Sequence, residues 1–302
     1  MPSRPLPFLV LGVGVVIVSF AAILIRFAQA EGAPSLAIAA VRLTVAAAVL
    51  APFAWSRSPR EILSIGPREF GLCMLSGVLL AAHFWAWITS LEHTSVASST
   101  ALVTTNPLWV ALVSAVVLRE SPGPAGIAGI VLTVGGSILV FAADASRAPT
   151  PSTEPMLGNA LALIGAVAAS GYLLVGRALR ARVSLTAYLW LAYTAAAVVL
   201  VAAAMASGLA FASLGGWAWL FMVALGLGPQ LIGHSAFNWA LRRLTATFVA
   251  IAILGEPVGS ALLAYFFFGE QFGHLQFAGF MLLLLGIFVA ARDERLRPAH
   301  AA

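Results

Sequence analysis

Polar residues inside long apolar stretches are the feature of this sequence that could do chemistry. A polar side chain at membrane depth is costly, so each one is a functional candidate. Gln230, His234 and Asn238 are spaced by four residues, which places them on one face of a helix. Such a row must face protein or a water-filled cavity. It either bonds to neighbouring helices and fixes their packing or lines a path for a solute, and the spacing leaves both roles open.

Two further groups of polar and aromatic residues occur in the first half of the chain. His83 and Trp87 share a helical face, and Thr104 and Asn106 lead into Pro107. A proline within a helix frees a backbone carbonyl and permits a kink, which suits a gating element. Aromatic residues in membrane helices more often pack in the core or lie in interfacial belts, so Trp87 has that alternative.

Two ionisable residues also lie within apolar runs. Arg42 could pair with the carboxylate of a solute, and its alternative role is a structural ion pair or a bond to a backbone carbonyl. Glu256 precedes Pro257, and a carboxyl group buried there could take up and release a proton. The alternative for Glu256 is a permanently neutral, hydrogen-bonded acid.

The composition indicates a membrane protein. Of the 302 residues, 61% are hydrophobic and 9% are charged, so the chain cannot cover itself with a water-soluble surface. The net charge of +5 does not indicate nucleic-acid binding, because all 16 basic residues are arginines in or near short gaps between apolar segments, apart from Arg42. That arrangement is typical of residues that set membrane orientation.

Several classes of chemistry find no support in the sequence. Cys73 is the only cysteine and no Cys/His cluster has metal-ligand spacing, so we predict no metal, no redox role and no cofactor. A phosphate-binding GxxxxGK[ST] loop is absent, and no paired carboxylates or Ser/His/Asp set support catalysis. We therefore predict that the chain is not an enzyme. Phosphorylated substrates are disfavoured because they need several buried cations, and Arg42 is the one arginine deep within an apolar run.

Ten apolar segments are long enough to span a bilayer as helices, since a spanning helix needs about 20 residues. Continuous apolar runs favour helices over a barrel, whose strands alternate. The first segment is longer than a cleaved signal and contains Arg26, so we take it as a membrane helix. The segments are Pro7–Ala28, Leu36–Trp55, Phe70–Leu91, Val96–Leu118, Ala125–Ala142, Leu157–Leu179, Leu185–Ser207, Trp217–Leu241, Ala246–Phe268 and Leu275–Ala291.

The ten segments divide into two halves of five. Residues 1–143 form the first half, 144–155 a polar linker rich in Pro, Ser and Thr, and 156–302 the second half. The side that holds both termini carries most of the arginines, whereas the opposite side has only Arg26 and Arg147. By the positive-inside rule both termini are predicted to be cytoplasmic.

An internal repeat relates the two halves. A shift of 150 residues places Leu91–Gly136 on Leu241–Gly286 without a gap. Apolar composition does not explain why a proline, a glutamate and three glycines coincide. The coinciding pairs are Pro107 and Pro257, Glu120 and Glu270, Gly123 and Gly273, Gly129 and Gly279, and Gly136 and Gly286. Because each half has five helices, the second copy crosses the membrane in the opposite sense, a plan that recurs in secondary transporters with the substrate site between the halves.

The repeated unit resembles the drug/metabolite transporter superfamily, and the EamA-type ten-helix exporters most of all. Pro107 and Glu120 with their counterparts carry the resemblance, together with Arg26, Pro34 and Arg42 near the start. The resemblance covers nearly the whole chain. It implies an all-α membrane protein of ten helices in two inverted five-helix repeats, located in a bacterial inner membrane.

The same resemblance, with the aromatic and amide-rich residues, leads us to expect an exporter of small metabolites. Amino acids, including aromatic ones, over a broad range are the preferred substrates, carried by alternating access. The alternatives are efflux of drugs or quaternary amines, with Glu256 as counter-charge, and remotely an intramembrane transferase. The expected partners are a small-molecule substrate and the lipid bilayer, and a monomer is the expected state although the sequence leaves oligomerisation open.

Specific roles follow from this expectation. We predict substrate contacts for one set of residues and coupling or gating for another. The substrate set is His83, Trp87, Thr104, Asn106, Gln230, His234 and Asn238. The coupling or gating set is Arg42, Pro107, Glu256 and Pro257.

Overall fold

The computed structural model describes residues 6–117, 123–145, 154–179, 182–240, 252–253 and 255–296, and these ranges contain helices and no strands. The all-helical class predicted from the sequence is therefore confirmed for the described residues. A 3₁₀ turn at Phe211–Ser213 and a π-helix at Gly226–Gly233 accompany the α-helices. The α-helices are α1 Leu6–Ala30, α2 Ser35–Arg57, α3 Pro59–Ser64, α4 Pro67–His93, α5 Val96–Val103, α6 Asn106–Val117, α7 Pro124–Ala145, α8 Pro155–Leu179, α9 Leu185–Ala206, α10 Gly216–Leu225, α11 His234–Ala240, α12 Gly255–Phe268 and α13 His274–Leu296.

Seven of the described helical stretches are long and apolar enough to cross a membrane. They are α1, α2, α4, α7, α8, α9 and the continuous stretch Gly216–Phe237. The other predicted segments correspond to α5 with α6, to α12 and to α13, which are not among those seven stretches. The count of ten spans stays a prediction, because residues 118–122 and 241–251, Glu120 among them, lie outside the described residues.

The fourth predicted segment is not one continuous helix. It breaks at residues 104–105, between α5 and α6. Pro107 follows as the second residue of α6, a position where a proline is tolerated because its missing N–H would have had no partner. The Thr104 hydroxyl donates to the Thr100 and Ala101 carbonyls at 2.9 and 3.0 Å, so carbonyls at the end of α5 remain bonded.

Helices at corresponding positions of the two halves pack in related pairs. The α4–α8 contact corresponds to the contact between α1 and the Gly216–Ala240 stretch, and α7 packs on its own counterpart α13. At the α7–α13 contact Gly136 lies beside Gly279, and Gly129 lies beside Gly286. Numbering rises along α7 as it falls along α13, so these two helices are antiparallel.

The glycines at the α7–α13 contact allow the two backbones to approach closely. A Cβ on Gly136 would lie 2.6 Å from the Leu283 backbone nitrogen and 2.7 Å from the Gly279 carbonyl oxygen. The adjacent Gly135 has room, because the nearest atom to a Cβ there is the Leu282 Cδ2 at 3.4 Å. Small residues at helix contacts are how membrane helices associate without a hydrophobic driving force.

We expect Gly136→Ala to lower the free energy of unfolding by about 1–3 kcal/mol, because the new methyl group meets backbone atoms that cannot move aside. Gly135→Ala is the matched control, with the same change of helix propensity one residue away, and it should be neutral or slightly stabilising. Denaturant titration in mixed micelles measures both. Equal effects of the two substitutions would contradict this packing.

The two ends of the molecule differ in charge. One end, here called the basic end, holds Arg57 at the end of α2, Arg177 near the end of α8 and Arg182 before α9. Arg182 forms an ion pair with Glu69 of α4 at 2.9 Å, and the Ser184 backbone N–H donates to Glu61 at 2.5 Å. The other end, here called the opposite end, contains the end of α1 and the start of α5.

Candidate functional site

A buried arginine joins the two halves within the membrane-spanning parts of the helices. Arg42 of α2 is 1% exposed, and its Nε donates to the Gln230 Oε1 at 2.8 Å. The guanidinium carbon lies 4.0 Å from the Phe84 ring centroid and 5.8 Å from that of Trp87. Aromatic faces attract a cation through their quadrupole. The charge of Arg42 is therefore held by an amide and two rings.

The remaining polar groups around Arg42 come from α9 and α12. Tyr193 lies beside Gln230, and the charges of Arg42 and Glu256 are close enough to interact. Within the described residues no ion pair joins Arg42 to a carboxylate. We call these residues the central polar cluster. Its members are Arg42, Phe84, Trp87, Tyr193, Gln230 and Glu256.

Two hydrogen-bond donors of the cluster lack partners. The Arg42 Nη1 and the Trp87 Nε1 are buried and bond to no group among the described residues. A buried donor left without a partner costs about 1–3 kcal/mol, and more when the group is charged. The molecule bears this cost at two donors of one cluster, where an acceptor from outside the chain would stabilise the protein.

A π-helix positions Gln230. Gly226–Gly233 winds more slowly than an α-helix and contains Pro229, which has no N–H to donate to the preceding turn. Gly226 allows close approach to α2, since a Cβ there would lie 2.9 Å from the Val45 side chain and 3.1 Å from the Arg42 carbonyl oxygen. Single π turns inside α-helices are frequent at functional sites.

Gln230 is the member of the predicted row whose bond to the central polar cluster the structure describes. Gln230 is 3% exposed and bonds to Arg42, whereas His234 begins α11 and contacts the edge of Phe237 at a centroid distance of 6.1 Å. Asn238 lies within α11, but its side chain lies outside the described residues. The π-helix alters the register that a regular helix would give Gln230 and His234.

Glu256 and Pro257 lie in the first turn of α12, beside α1. The Ser19 hydroxyl donates to the Glu256 carbonyl oxygen at 3.5 Å, and the Ser260 hydroxyl donates to the Ser19 carbonyl at 3.0 Å. Pro257 is buried and Glu256 is half-buried. The first turn of α12 is thus fixed to α1 by hydroxyl bonds, with the carboxyl group near Arg42.

His83 connects α4 with α8. Its Nδ1 lies 2.9 Å from the Gly165 carbonyl oxygen, so this nitrogen carries a proton and donates. The imidazole ring is stacked on Trp87 with a centroid distance of 6.1 Å and an interplanar angle of 11°. His83 thereby supports the orientation of Trp87 at the edge of the cluster.

The polar residues at the α5–α6 break bond to backbone groups. Asn106, with its amide oriented so that the nitrogen faces acceptors, donates to the Val103 carbonyl at 2.8 Å and the Ala166 carbonyl at 3.1 Å. Thr104 bonds within α5, as described above. Pro107 follows the break, and its side chain lies outside the described residues. The substrate contacts predicted for Thr104 and Asn106 stay predictions.

A hydrogen-bond network that was not predicted from the sequence lies at the opposite end. Asp144 accepts from Ser98 at 2.9 Å, from Asn159 at 2.8 Å and from Gln276 at 3.2 Å. The Thr94 hydroxyl donates to the Asn159 amide oxygen at 2.9 Å. We call this set the outer network. It joins residues of both halves, and α7 continues through Asp144 although the sequence placed that residue in the linker.

A second contact lies at the same end. The Arg26 Nη1 donates to the Leu91 carbonyl at 3.2 Å and lies 3.5 Å from the Glu270 Oε1. The other Glu270 oxygen accepts from the Val96 backbone N–H at 2.9 Å. Val96 starts α5, where a carboxylate is favoured by the free N–H groups of the helix. Arg26 and Glu270 thus lie at one end, as the predicted topology requires.

Two described grooves lie along helix seams. One of about 550 Å³ runs between α2 and α9 and contains Thr44 and Thr194. Another of about 630 Å³ runs between α1, α12 and α13 and is lined by apolar residues apart from Ser19. Their apolar linings suit contact with lipid, whereas the cluster is enclosed.

Comparisons with known proteins agree with this architecture. The chain is 26% identical over 282 residues to the Bacillus subtilis (strain 168) protein named Uncharacterized transporter YwfM, covering 90% of each chain. Two Archaeoglobus fulgidus proteins named Uncharacterized transporter match at 29% over 85 residues and 28% over 192 residues. The chain covers 31% and 65% of those two archaeal relatives.

A solved crystal structure of a protein has the same fold. Its chain superimposes with a TM-score of 0.65 at 22% identity, covering 98% of this chain and 100% of the other. The model of the EamA-like transporter family matches residues 6–142 and again residues 156–292. The two matches cover both halves, which confirms the two-repeat architecture and the predicted resemblance. The chain is a multi-pass membrane protein that belongs to the EamA-like transporter family.

Proposed function

We propose that this transporter exports amino acids, including aromatic ones, over a broad range across the bacterial inner membrane. The central polar cluster is the observation that supports this proposal best. It combines an arginine, a carboxyl group, an amide and aromatic rings contributed by both halves. An amino acid has a carboxylate, an ammonium group and a side chain, which can contact the arginine, the carboxyl group and the aromatic rings. The substrate site of carriers with inverted repeats lies between the two halves.

Alternating access between two inverted five-helix repeats is the mechanism that we propose. The antiparallel packing of α7 and α13 supports the inversion, because these helices occupy corresponding positions in the two halves. The outer network supports a closed state at one end, since hydrogen bonds between polar side chains can exchange with water when that end opens. The basic end faces the cytoplasm by the positive-inside rule, together with both termini.

Efflux of hydrophobic cations is the second candidate, and Glu256 is the observation that favours it. Its half-buried carboxyl group lies in the same cluster as the Phe84 and Trp87 rings, which could hold a quaternary amine. Overexpression would then confer resistance to dyes and quaternary amines, and Glu256→Gln would abolish it. The transferase alternative gains no support from the family or from the names of the relatives.

Purified protein in proteoliposomes tests the proposal. We expect labelled phenylalanine and threonine to move down their gradients faster than in protein-free liposomes. A parallel measurement with an imposed pH gradient reports whether protons are coupled to the flux. Absence of flux above the protein-free control for every amino acid of a broad panel would contradict the proposed substrate class.

A further inference from the structure

We propose that Arg42 and Trp87 form a carboxylate subsite, in which the Arg42 Nη1 and the Trp87 Nε1 donate to the two oxygens of the substrate carboxylate. This inference rests on the proposed function, because it assigns one group of the substrate to a place in the central polar cluster. It also commits to a class of ligand, namely small monocarboxylates that carry an ammonium group.

The groups in direct contact with Arg42 are uncharged. The neutral Gln230 side chain accepts a hydrogen bond from the Arg42 Nε, and Phe84 and Trp87 contact the guanidinium through the faces of their rings. No described carboxylate forms an ion pair with the guanidinium, which is 1% exposed. Buried charges in proteins are generally paired or bound to a ligand. A free Nη1 on such a group is therefore a site prepared for an anion.

The second donor is suitably placed to share that anion. The indole of Trp87 is 4% exposed, its Nε1 has no described partner, and its ring centroid lies 5.8 Å from the Arg42 guanidinium carbon. A carboxylate has two oxygens that accept hydrogen bonds at about 2.7–3.0 Å, so one carboxylate can bridge donors separated by several ångströms. The stacked ring of His83 supports the orientation of this indole.

The surroundings select a carboxylate over a phosphate. A phosphate dianion is normally held by several cations, and in this cluster Arg42 is the one arginine or lysine. The nearby Glu256 would repel a dianion, whereas the same carboxyl group can accept a hydrogen bond from an ammonium group.

Three probes of related shape separate the two polar ends of the substrate. Phenylalanine has both groups, phenethylamine lacks the carboxylate, and 3-phenylpropionate lacks the ammonium. Equilibrium binding to the full-length protein in detergent is measured for each, with inorganic phosphate as a fourth probe. We expect the dissociation constant of phenylalanine to be lower than that of phenethylamine by roughly tenfold or more, because phenethylamine cannot make the charge-assisted hydrogen bonds of a carboxylate.

Substitutions then locate this preference. In Arg42→Gln the preference for phenylalanine over phenethylamine should disappear, and in Arg42→Lys it should be partly retained. Trp87→Phe keeps an aromatic ring and should reduce the preference for phenylalanine over phenethylamine. Glu256→Gln should instead reduce the preference for phenylalanine over 3-phenylpropionate. If the Arg42 variants fail to fold, the binding preference of Trp87→Phe still tests the subsite. This substitution removes the indole N–H and keeps an aromatic side chain at the position.

The outcomes distinguish the subsite from the proposed function. Phenylalanine flux with an unchanged preference in Arg42→Gln, or in Trp87→Phe, would overturn the subsite and leave the function standing. Absence of amino-acid flux, with Arg42-dependent binding of 3-phenylpropionate, would overturn the function and support the subsite. Phosphate that binds as tightly as phenylalanine would overturn the assignment to carboxylates.

Discussion

Gln230→Leu is expected to lower the free energy of unfolding by about 1.5–3 kcal/mol, the value of a hydrogen bond to a charged group. It removes the acceptor that the Arg42 Nε uses at 2.8 Å and leaves a second buried donor of that guanidinium unpaired. Amino-acid flux in proteoliposomes should fall by about tenfold or more, because the guanidinium would turn to another acceptor and lose its position beside Trp87.

Gln230→Glu separates the structural role of Gln230 from the functional one. The introduced carboxylate still accepts a hydrogen bond from the Arg42 Nε, so the free energy of unfolding should be retained. Its negative charge competes with the substrate carboxylate for the Arg42 guanidinium, so the amino-acid flux should be lost. Thr194→Val is the control for removing a buried polar group. The Thr194 hydroxyl has no described partner, so this isosteric change should be neutral or stabilising. Full flux in Gln230→Leu would contradict these roles.

Asp144→Ala is expected to open the opposite end of the protein. Asp144 accepts hydrogen bonds from Ser98, Asn159 and Gln276, which come from both halves. Without the carboxylate these buried donors lose their shared acceptor, and the closed state loses several kcal/mol if each lost bond costs about 1 kcal/mol. The conformational equilibrium should shift toward a state open at that end, and net transport should fall.

Cysteine labelling measures this shift. The reporter is Ala101→Cys in a Cys73→Ser background, because Ala101 is buried on α5 about one turn beyond Ser98. A membrane-impermeant thiol reagent added outside oriented vesicles should label it on the order of 100-fold faster when Asp144 is Ala, the effect of about 3 kcal/mol on the opening equilibrium. The labelling rate in Asp144→Asn should lie between those of the parent protein and Asp144→Ala. Glu154→Ala, at an exposed position, should leave the labelling rate unchanged. An unchanged labelling rate would show that the network does not close this end.

The positions of the long helices were the part of the fold that the sequence revealed best. Apolar length located the long helices to within a few residues, because a bilayer imposes nearly the same length on each one. The repeat aligned Asn106 with Glu256, and in the structure Asn106 starts α6 while Glu256 lies in the first turn of α12. The break before Pro107 is therefore described, whereas residue 254, which precedes α12, lies outside the described residues.

The composition of the site was harder to predict. Arg42 and Gln230 were singled out one by one, but nothing in the sequence indicated that they bond across 188 positions. The π-helix at Gly226–Gly233 alters the regular spacing on which the row Gln230, His234 and Asn238 was based. A glycine pair and a proline within an apolar helix were the available signal for that irregular turn.

The outer network was missed for a related reason. Asp144, Asn159 and Gln276 lie near helix ends, where polar residues usually face water and attract no attention in a sequence. Their burial depends on contacts between α5, α7, α8 and α13 that only the fold creates. Tyr193 was missed because the other tyrosine of α9, Tyr188, lies five residues away, a spacing that puts the two on different faces of a helix.

Counterflow of an amino acid in proteoliposomes tests the central claim most directly. A carrier that alternates between two closed ends exchanges substrate across the membrane faster than it moves substrate one way. Vesicles preloaded with unlabelled phenylalanine should therefore accumulate external labelled phenylalanine transiently above its equilibrium level. Labelled phenylalanine that enters at the same rate with and without preloading, or not at all, would contradict an amino-acid carrier built on alternating access.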